Sequence, residues 1–252
     1  MLAVISPAKS LDFQRPLPAA APSRPRFEGE TARLVAAARR LSRRQLADVM
    51  GISETLAELN VSRYRDWDGL PECPALFAFS GDVYAGFDAP SLHEDGVRFA
   101  QNHLRILSGL YGLLRPLDLI RPYRLEMGTR WAPRAGNLYA FWRDRIGRAL
   151  AEDVAAAGGA PVVINLASKE YWQAAAPHLP AGVRGLCVDF REDGPGGLKF
   201  NSFAGKRARG AMARFLCEHR LADPAALKGF DAGGYVYDAE LSNENRWMFV
   251  RR

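Results

Sequence analysis

The chain has 252 residues, 48% of them hydrophobic and 25% charged, ordinary values for a globular protein of one large or two small domains. A formal net charge of +6 points to an anionic partner, and three scattered cysteines, Cys73, Cys187 and Cys217, exclude a disulfide framework. No apolar run reaches membrane-spanning length and the first residues, MLAVISPAKSLDF, lack the character of a secretory signal, so a soluble cytoplasmic protein without a membrane partner is expected.

Taken in chain order, Leu2 to Ser6 is a short apolar run that reads as a buried strand ended by Pro7. Residues 14–27 are proline-rich and read as loop or extended chain. From Glu28 the pattern turns helical, with Leu34, Val35, Ala38 and Leu41 on one face and Arg33, Arg39 and Arg40 on the other. Residues 42–67 read as short helices with Ser42 and Ser53 as N-caps. Ser80 to Phe87 reads as a turn-rich segment, and residues 91–103 as a helix leading into a strand at Leu104–Leu107. Pro116 and Pro122 keep Leu114–Arg124 from forming one regular helix. Leu138 to Ala157 has helical period. Strands are expected within residues 161–166, 185–190 and 198–203, a helix over Ala204–Leu221, and a terminal hairpin from Tyr235–Leu241 and Trp247–Val250. The order is mixed rather than a clean βαβ alternation, which favours a single α+β domain over a doubly wound or barrel fold.

The most unusual stretch is Leu104 to Gly128, LRILSGLYGLLRPLDLIRPYRLEMG. It sets Arg105, Arg115, Arg121 and Arg124 among large apolar residues, opposed only by Asp118 and Glu126. Buried guanidinium groups need partners, so these arginines either pair inside the fold or line a groove for an anion. No glycine-rich dinucleotide fingerprint, Walker loop or HExxH motif occurs, and His93, His103, His178 and His219 have no metal-site spacing. No metal, cofactor or catalytic residue is assigned.

Lysine is rare: Lys9, Lys169, Lys199, Lys206 and Lys228 are the only ones, and such survivors in an arginine-rich chain suit phosphate binding or proton chemistry. Leu46–Ala57 fits a helix-hairpin-helix outline through Met50, Gly51, Ile52, Ser53 and Ala57, with Arg43, Arg44, Arg63 and Arg65 flanking it. In such a motif, backbone N–H groups meet a DNA phosphate. Here Ser53 stands where a second glycine is usual, and Glu54 beside it repels phosphate. A third basic cluster, GKRARG at 205–210, places Lys206, Arg207 and Arg209 near a helix start.

SPAKSLDF at 6–13, GDVYAGF at 81–87, the Leu104–Gly128 run, LYAFW at 138–142, NLASKEYW at 165–172 and KRARG at 206–210 occur in one order. Together they closely resemble the bacterial peroxide-stress protein YaaA family, nearly end to end. The resemblance implies one α+β domain of unusual architecture over residues 1–252, with a basic cleft and a helix-hairpin-helix-like element at about 42–67. It also implies a cytoplasmic role in hydrogen peroxide tolerance, with an indirect limitation of free iron, and DNA binding through Lys9, Gly51, Ser53, Lys206, Arg207 and Arg209.

These features support two functional readings. In the first, the protein binds double-stranded DNA through phosphate contacts without strong sequence specificity, Arg43 and Arg44 assisting. In the second, it is an enzyme acting on a phosphorylated or nucleotide-like small molecule. Lys9, Lys169, Lys199 and Lys206 then converge beside Ser6 and Tyr123, with Arg105, Arg115, Arg121 or Arg124 lining the same cleft. Arg121 and Arg124 paired with Asp118 and Glu126 as a buried scaffold are compatible with either. The oligomeric state is left open.

Overall fold

The computed structural model describes residues 1–252. Its strands are β1 (Leu2–Ile5), β2 (Ser10–Leu11), β3 (Cys73–Pro74), β4 (Phe79–Ser80), β5 (Leu104–Ser108), β6 (Gly112–Leu114), β7 (Leu119–Ile120), β8 (Val162–Asn165), β9 (Arg184–Glu192), β10 (Tyr235–Asn243) and β11 (Arg246–Arg251). Its helices are α1 (Glu28–Ala38), α2 (Arg43–Met50), α3 (Glu54–Arg65), α4 (Ala75–Ala78), α5 (Asp82–Phe87), α6 (Glu94–His103), α7 (Leu138–Trp142), α8 (Arg145–Ala157), α9 (Lys169–Trp172) and α10 (Ser202–Glu218).

Seven strands form one sheet in the order β10-β11-β9-β8-β1-β5-β6. The central strands β1, β5, β8, β9 and β11 pair in parallel, and only β6 and β10 at the edges run antiparallel. The composition of the centre explains this. LAVI, LRILS and VVIN are buried along their whole length, as strands covered on both faces must be. At one edge β10 is largely exposed and carries a register shift between Asp238 and Asn243. Such irregularity discourages pairing with another chain.

This sheet is more parallel than the expected α+β arrangement; its crossovers range from the short α9 between β8 and β9 to the run α1–α6 between β1 and β5, so no regular alternation marks the parallel strands in the sequence. Two local expectations are corrected. Residues 82–87 form helix α5, which the aromatic alternation concealed. Residues 198–203 form no strand: Lys199 makes an isolated bridge to Glu192, and α10 already begins at Ser202. The helical period across 138–157 is interrupted at Arg143, where φ is 47° and ψ is −127°. The expected loop at 14–27, β1, β8, β9 and the terminal hairpin are as read.

Glycine permits two close backbone approaches near the ends of β1 and β5. A Cβ on Gly210 of α10 would lie 1.8 Å from the Val83 carbonyl oxygen, and one on Gly86 of α5 would lie 2.1 Å from that of Arg207. Only glycine lets α5 and α10 cross so tightly. A Cβ on Gly109 would lie 2.2 Å from the Leu125 carbonyl oxygen, which fixes residues 123–126 beyond the end of β5.

Candidate functional site

Strand β1 has β5 on one side and β8 on the other. The chain therefore leaves β1 in one direction and returns on its opposite flank. In open, mostly parallel sheets, the crevice outside the carboxyl ends of strands at such a switch is where ligands bind. A cavity of about 390 Å³ lies there, lined by Ser6 after β1, by Leu166 and Ser168 after β8, and by Tyr123–Glu126 beyond β5. The α5–α10 crossing completes it with Asp82, Tyr84, Lys206 and Arg209.

Hydrogen bonds hold this rim. The Ser168 N–H donates to Ser6 Oγ at 2.8 Å, which ties the ends of β1 and β8 together. Tyr84 Oη donates to the Ser6 carbonyl at 3.1 Å, and Tyr123 Oη shares a hydrogen bond of 2.7 Å with Ser108 Oγ. Burial pushes the phenols of Tyr84 and Tyr123 well above their ordinary range, so both remain neutral hydroxyls.

The charges are mixed rather than uniformly basic. Glu126 faces Arg124 at 3.1 Å and Lys9 at 3.6 Å, and Lys206 lies 3.9 Å from Asp82. Glu170 Oε1 accepts from the Gly128 N–H at 2.8 Å. Arg209 is the exception. It forms no ion pair, and burial lowers its guanidinium below the ordinary value despite the nearby Asp189 carboxylate; its Nε is buried without a hydrogen-bond partner, as is that of Arg121, which does have an ion pair, to Glu72. With no carboxylate in contact, this partly buried cation has only the longer-range attraction of Asp189 to offset its desolvation.

Of the expected cleft residues, the structure brings together Ser6, Lys9, Tyr123, Arg124, Lys206 and Arg209. It removes the others. Arg105 is buried and pairs with Asp153 at 2.6 Å, a carboxylate that also takes Arg26 at 2.5 Å. Arg115 pairs with Asp118 at 3.1 Å, and Arg121 pairs with Glu72 at 3.1 Å with its guanidinium over the Trp67 ring. Lys169 and Lys199 are exposed and do not line the cavity. Arg207 points along the Phe203 ring outside it. The expected basic cleft is thus a cavity of alternating sign.

The 42–67 subregion is two helices, α2 and α3, joined by Gly51–Ser53. Its special residues have structural work. Gly51 caps α2 in the left-handed region at φ 59°, and Ser53 Oγ accepts from the Leu56 N–H to cap α3. Arg43 is held by Glu54 at 3.2 Å, while Arg44 is exposed without an ion pair. Gly51 does share a surface groove with Lys9 and Arg130 beside the cavity.

The sequence reading missed Asp82, Tyr84, Ser168, Glu170 and Tyr171. All five lie inside GDVYAGF and NLASKEYW, strings whose rarity was the available signal. Burial raises the Cys73 thiol to about 11 and also raises Cys217, so both stay protonated thiols at neutral pH. No three His, Cys, Asp or Glu side chains converge as metal ligands. No helix is long and apolar enough to cross a membrane.

The family model described as peroxide stress protein YaaA matches residues 1–241. A UPF0246 protein of Rhizorhabdus wittichii is 58% identical over 252 residues, covering 100% of this chain and 99% of the relative. A UPF0246 protein of Burkholderia orbicola is 49% identical over 259 residues and one of Cupriavidus pinatubonensis 48%, each again across 100% of this chain and 99% of the relative. The chain belongs to the peroxide stress protein YaaA family.

Proposed function

We propose that this member of the peroxide stress family acts on an anionic small molecule, of the phosphorylated or nucleotide-like class, held in the cavity at the carboxyl ends of β1 and β8. The observation that carries the reading is Arg209. Every other cation of the cavity has a carboxylate within 4 Å, whereas this partly desolvated guanidinium has none. A phosphate or carboxylate group would supply the missing charge and accept from the idle Nε. Ser6, Tyr84 and Tyr123 surround the space with neutral hydroxyls suited to orienting the rest of such a molecule. The test is peroxide survival of a host lacking its own copy, carrying either wild type or Arg209→Gln at equal protein level. Rescue by wild type alone is expected; equal rescue by both contradicts the reading.

A second reading, binding of double-stranded DNA, has one specific observation in its favour. The Gly51 turn, Lys9 and the exposed, unpaired Arg130 border one open groove next to the cavity mouth, which Asp48, Glu126 and Glu170 also line and which a duplex would have to follow on its basic side. Phosphates tracking that groove would give duplex affinity that falls steeply with salt. Duplex binding by wild type and Lys9→Ala/Arg130→Ala, titrated against salt, decides it. The reading requires a shallower salt slope for the variant, and identical slopes or no duplex binding by wild type rejects it.

A further inference from the structure

The cavity leaves another group of arginines unexplained. Arg33 and Arg40 stand on one face of α1 and its continuation, separated by Ala36 and Ala37 at helical spacing. That face forms one wall of a groove of about 550 Å³. Arg134 faces it from the preceding loop, and Arg143 and Arg145 from the α7–α8 junction. Phe141 and the two alanines are among the apolar residues between them. No aspartate or glutamate lines this groove.

The nearby acids are already engaged. Glu30 pairs with Arg145 at 3.5 Å, and Asp144 pairs with Arg148 at 3.4 Å. The neighbouring Arg24, Arg26 and Arg39 have Glu72, Asp153 and Asp68. Arg33, Arg40, Arg134 and Arg143 have neither an ion pair nor a side-chain hydrogen bond. Two of these four also sit at positive φ, 62° for Arg134 and 47° for Arg143, where a side chain is disfavoured and glycine is at ease. Strained backbone and concentrated like charge both oppose folding, and both meet at one concavity.

We propose that this groove binds a small ligand carrying a run of phosphate groups beside a flat apolar body, the chemistry of a nucleoside triphosphate. Arginine rather than lysine fits that choice, because a planar guanidinium grips phosphate oxygens in pairs. The groove's volume is that of a small-ligand site. Phe141, held edge-on to Trp142 with ring centroids 5.2 Å apart, offers the base a fixed apolar face. The groove shares no lining residue with the Arg209 cavity, so the two assignments stand or fall separately.

Calorimetric titration of the full chain in magnesium-free buffer tests this with ATP, inorganic tripolyphosphate and adenosine as probes. ATP binds wild type, tripolyphosphate binds more weakly and adenosine does not bind. Arg33→Ala/Arg40→Ala, both exposed on a helix surface, weakens ATP by about tenfold or more. Arg143→Gly also weakens ATP while its melting temperature holds or rises, a combination that a merely structural arginine would not give. The titrations are repeated in the Arg209→Gln background, which removes the anchor of the first cavity, and the effect of the α1 double variant on ATP persists there. Absence of ATP binding by wild type, or equal ATP affinity in the α1 double variant, overturns the site. Tripolyphosphate binding as tightly as ATP overturns its nucleoside assignment.

Discussion

The Leu104–Gly128 run and the cavity at the ends of β1 and β8 are both rich in arginine, yet they treat that charge in opposite ways. In the run, each guanidinium meets a carboxylate: Arg105 with Asp153, Arg115 with Asp118, Arg121 with Glu72 and Arg124 with Glu126. These pairs hold an irregular segment against the sheet. At the cavity, Arg209 is left without one. Arginine count alone therefore says little about anion binding; the supply of carboxylates within reach decides it.

The largest effect that separates the two regions is expected at the buried pair. Asp153→Ala strands the buried Arg105 guanidinium without a carboxylate and should cost about 3–5 kcal/mol in urea unfolding. A loss below about 1 kcal/mol would mean that the run is not a scaffold. Next comes Gly210→Ala, whose added methyl meets backbone 1.8 Å away. Forcing α5 and α10 apart should cost about 1–3 kcal/mol or more and displace Lys206 and Arg209, so stability and ligand binding fall together. Arg209→Gln is the contrasting case. It removes an unsatisfied buried charge, so its unfolding free energy should stay within about 1 kcal/mol of wild type or increase.

The smallest effect is a pH dependence away from both regions. Burial holds the His103 imidazole below its ordinary value of 6.5, opposed in part by its hydrogen bond to the Met1 carbonyl at 3.0 Å. The unfolded chain therefore binds this proton more readily than the folded one. Stability is complete above pH 6.5 and declines as pH falls below it. Melting curves of His103→Gln should lose that part of the decline, and an unchanged profile would assign it to other groups.

Much of the frame was legible because it is local. The uninterrupted apolar runs of β1 and β8, the caps at Ser42 and Ser53, and the terminal hairpin are all written in neighbouring residues. The pairing within the run was legible for Arg124, whose acid lies two positions away, whereas Asp118, expected to hold Arg121 or Arg124, holds Arg115 instead. For Arg105 and Arg121 it was not, since Asp153 and Glu72 come from distant segments. Helix α5 was hidden because its six residues gain their support from Gly210 on α10 rather than from their own periodicity. For the cavity, Ser6, Lys9, Tyr123 and Lys206 were identifiable individually. Their meeting depends on a strand order that places β1 between β5 and β8, which no local pattern encodes.

If the unpaired Arg209 receives an anion and the paired run does not, the difference is visible in calorimetric titration of inorganic phosphate and AMP into wild type, Arg209→Gln and Arg115→Gln. Wild type and Arg115→Gln are expected to bind alike, and Arg209→Gln to lose about tenfold or more in affinity with its fold intact. Equal affinity in wild type and Arg209→Gln, or no binding of either anion by wild type, would refute the assignment.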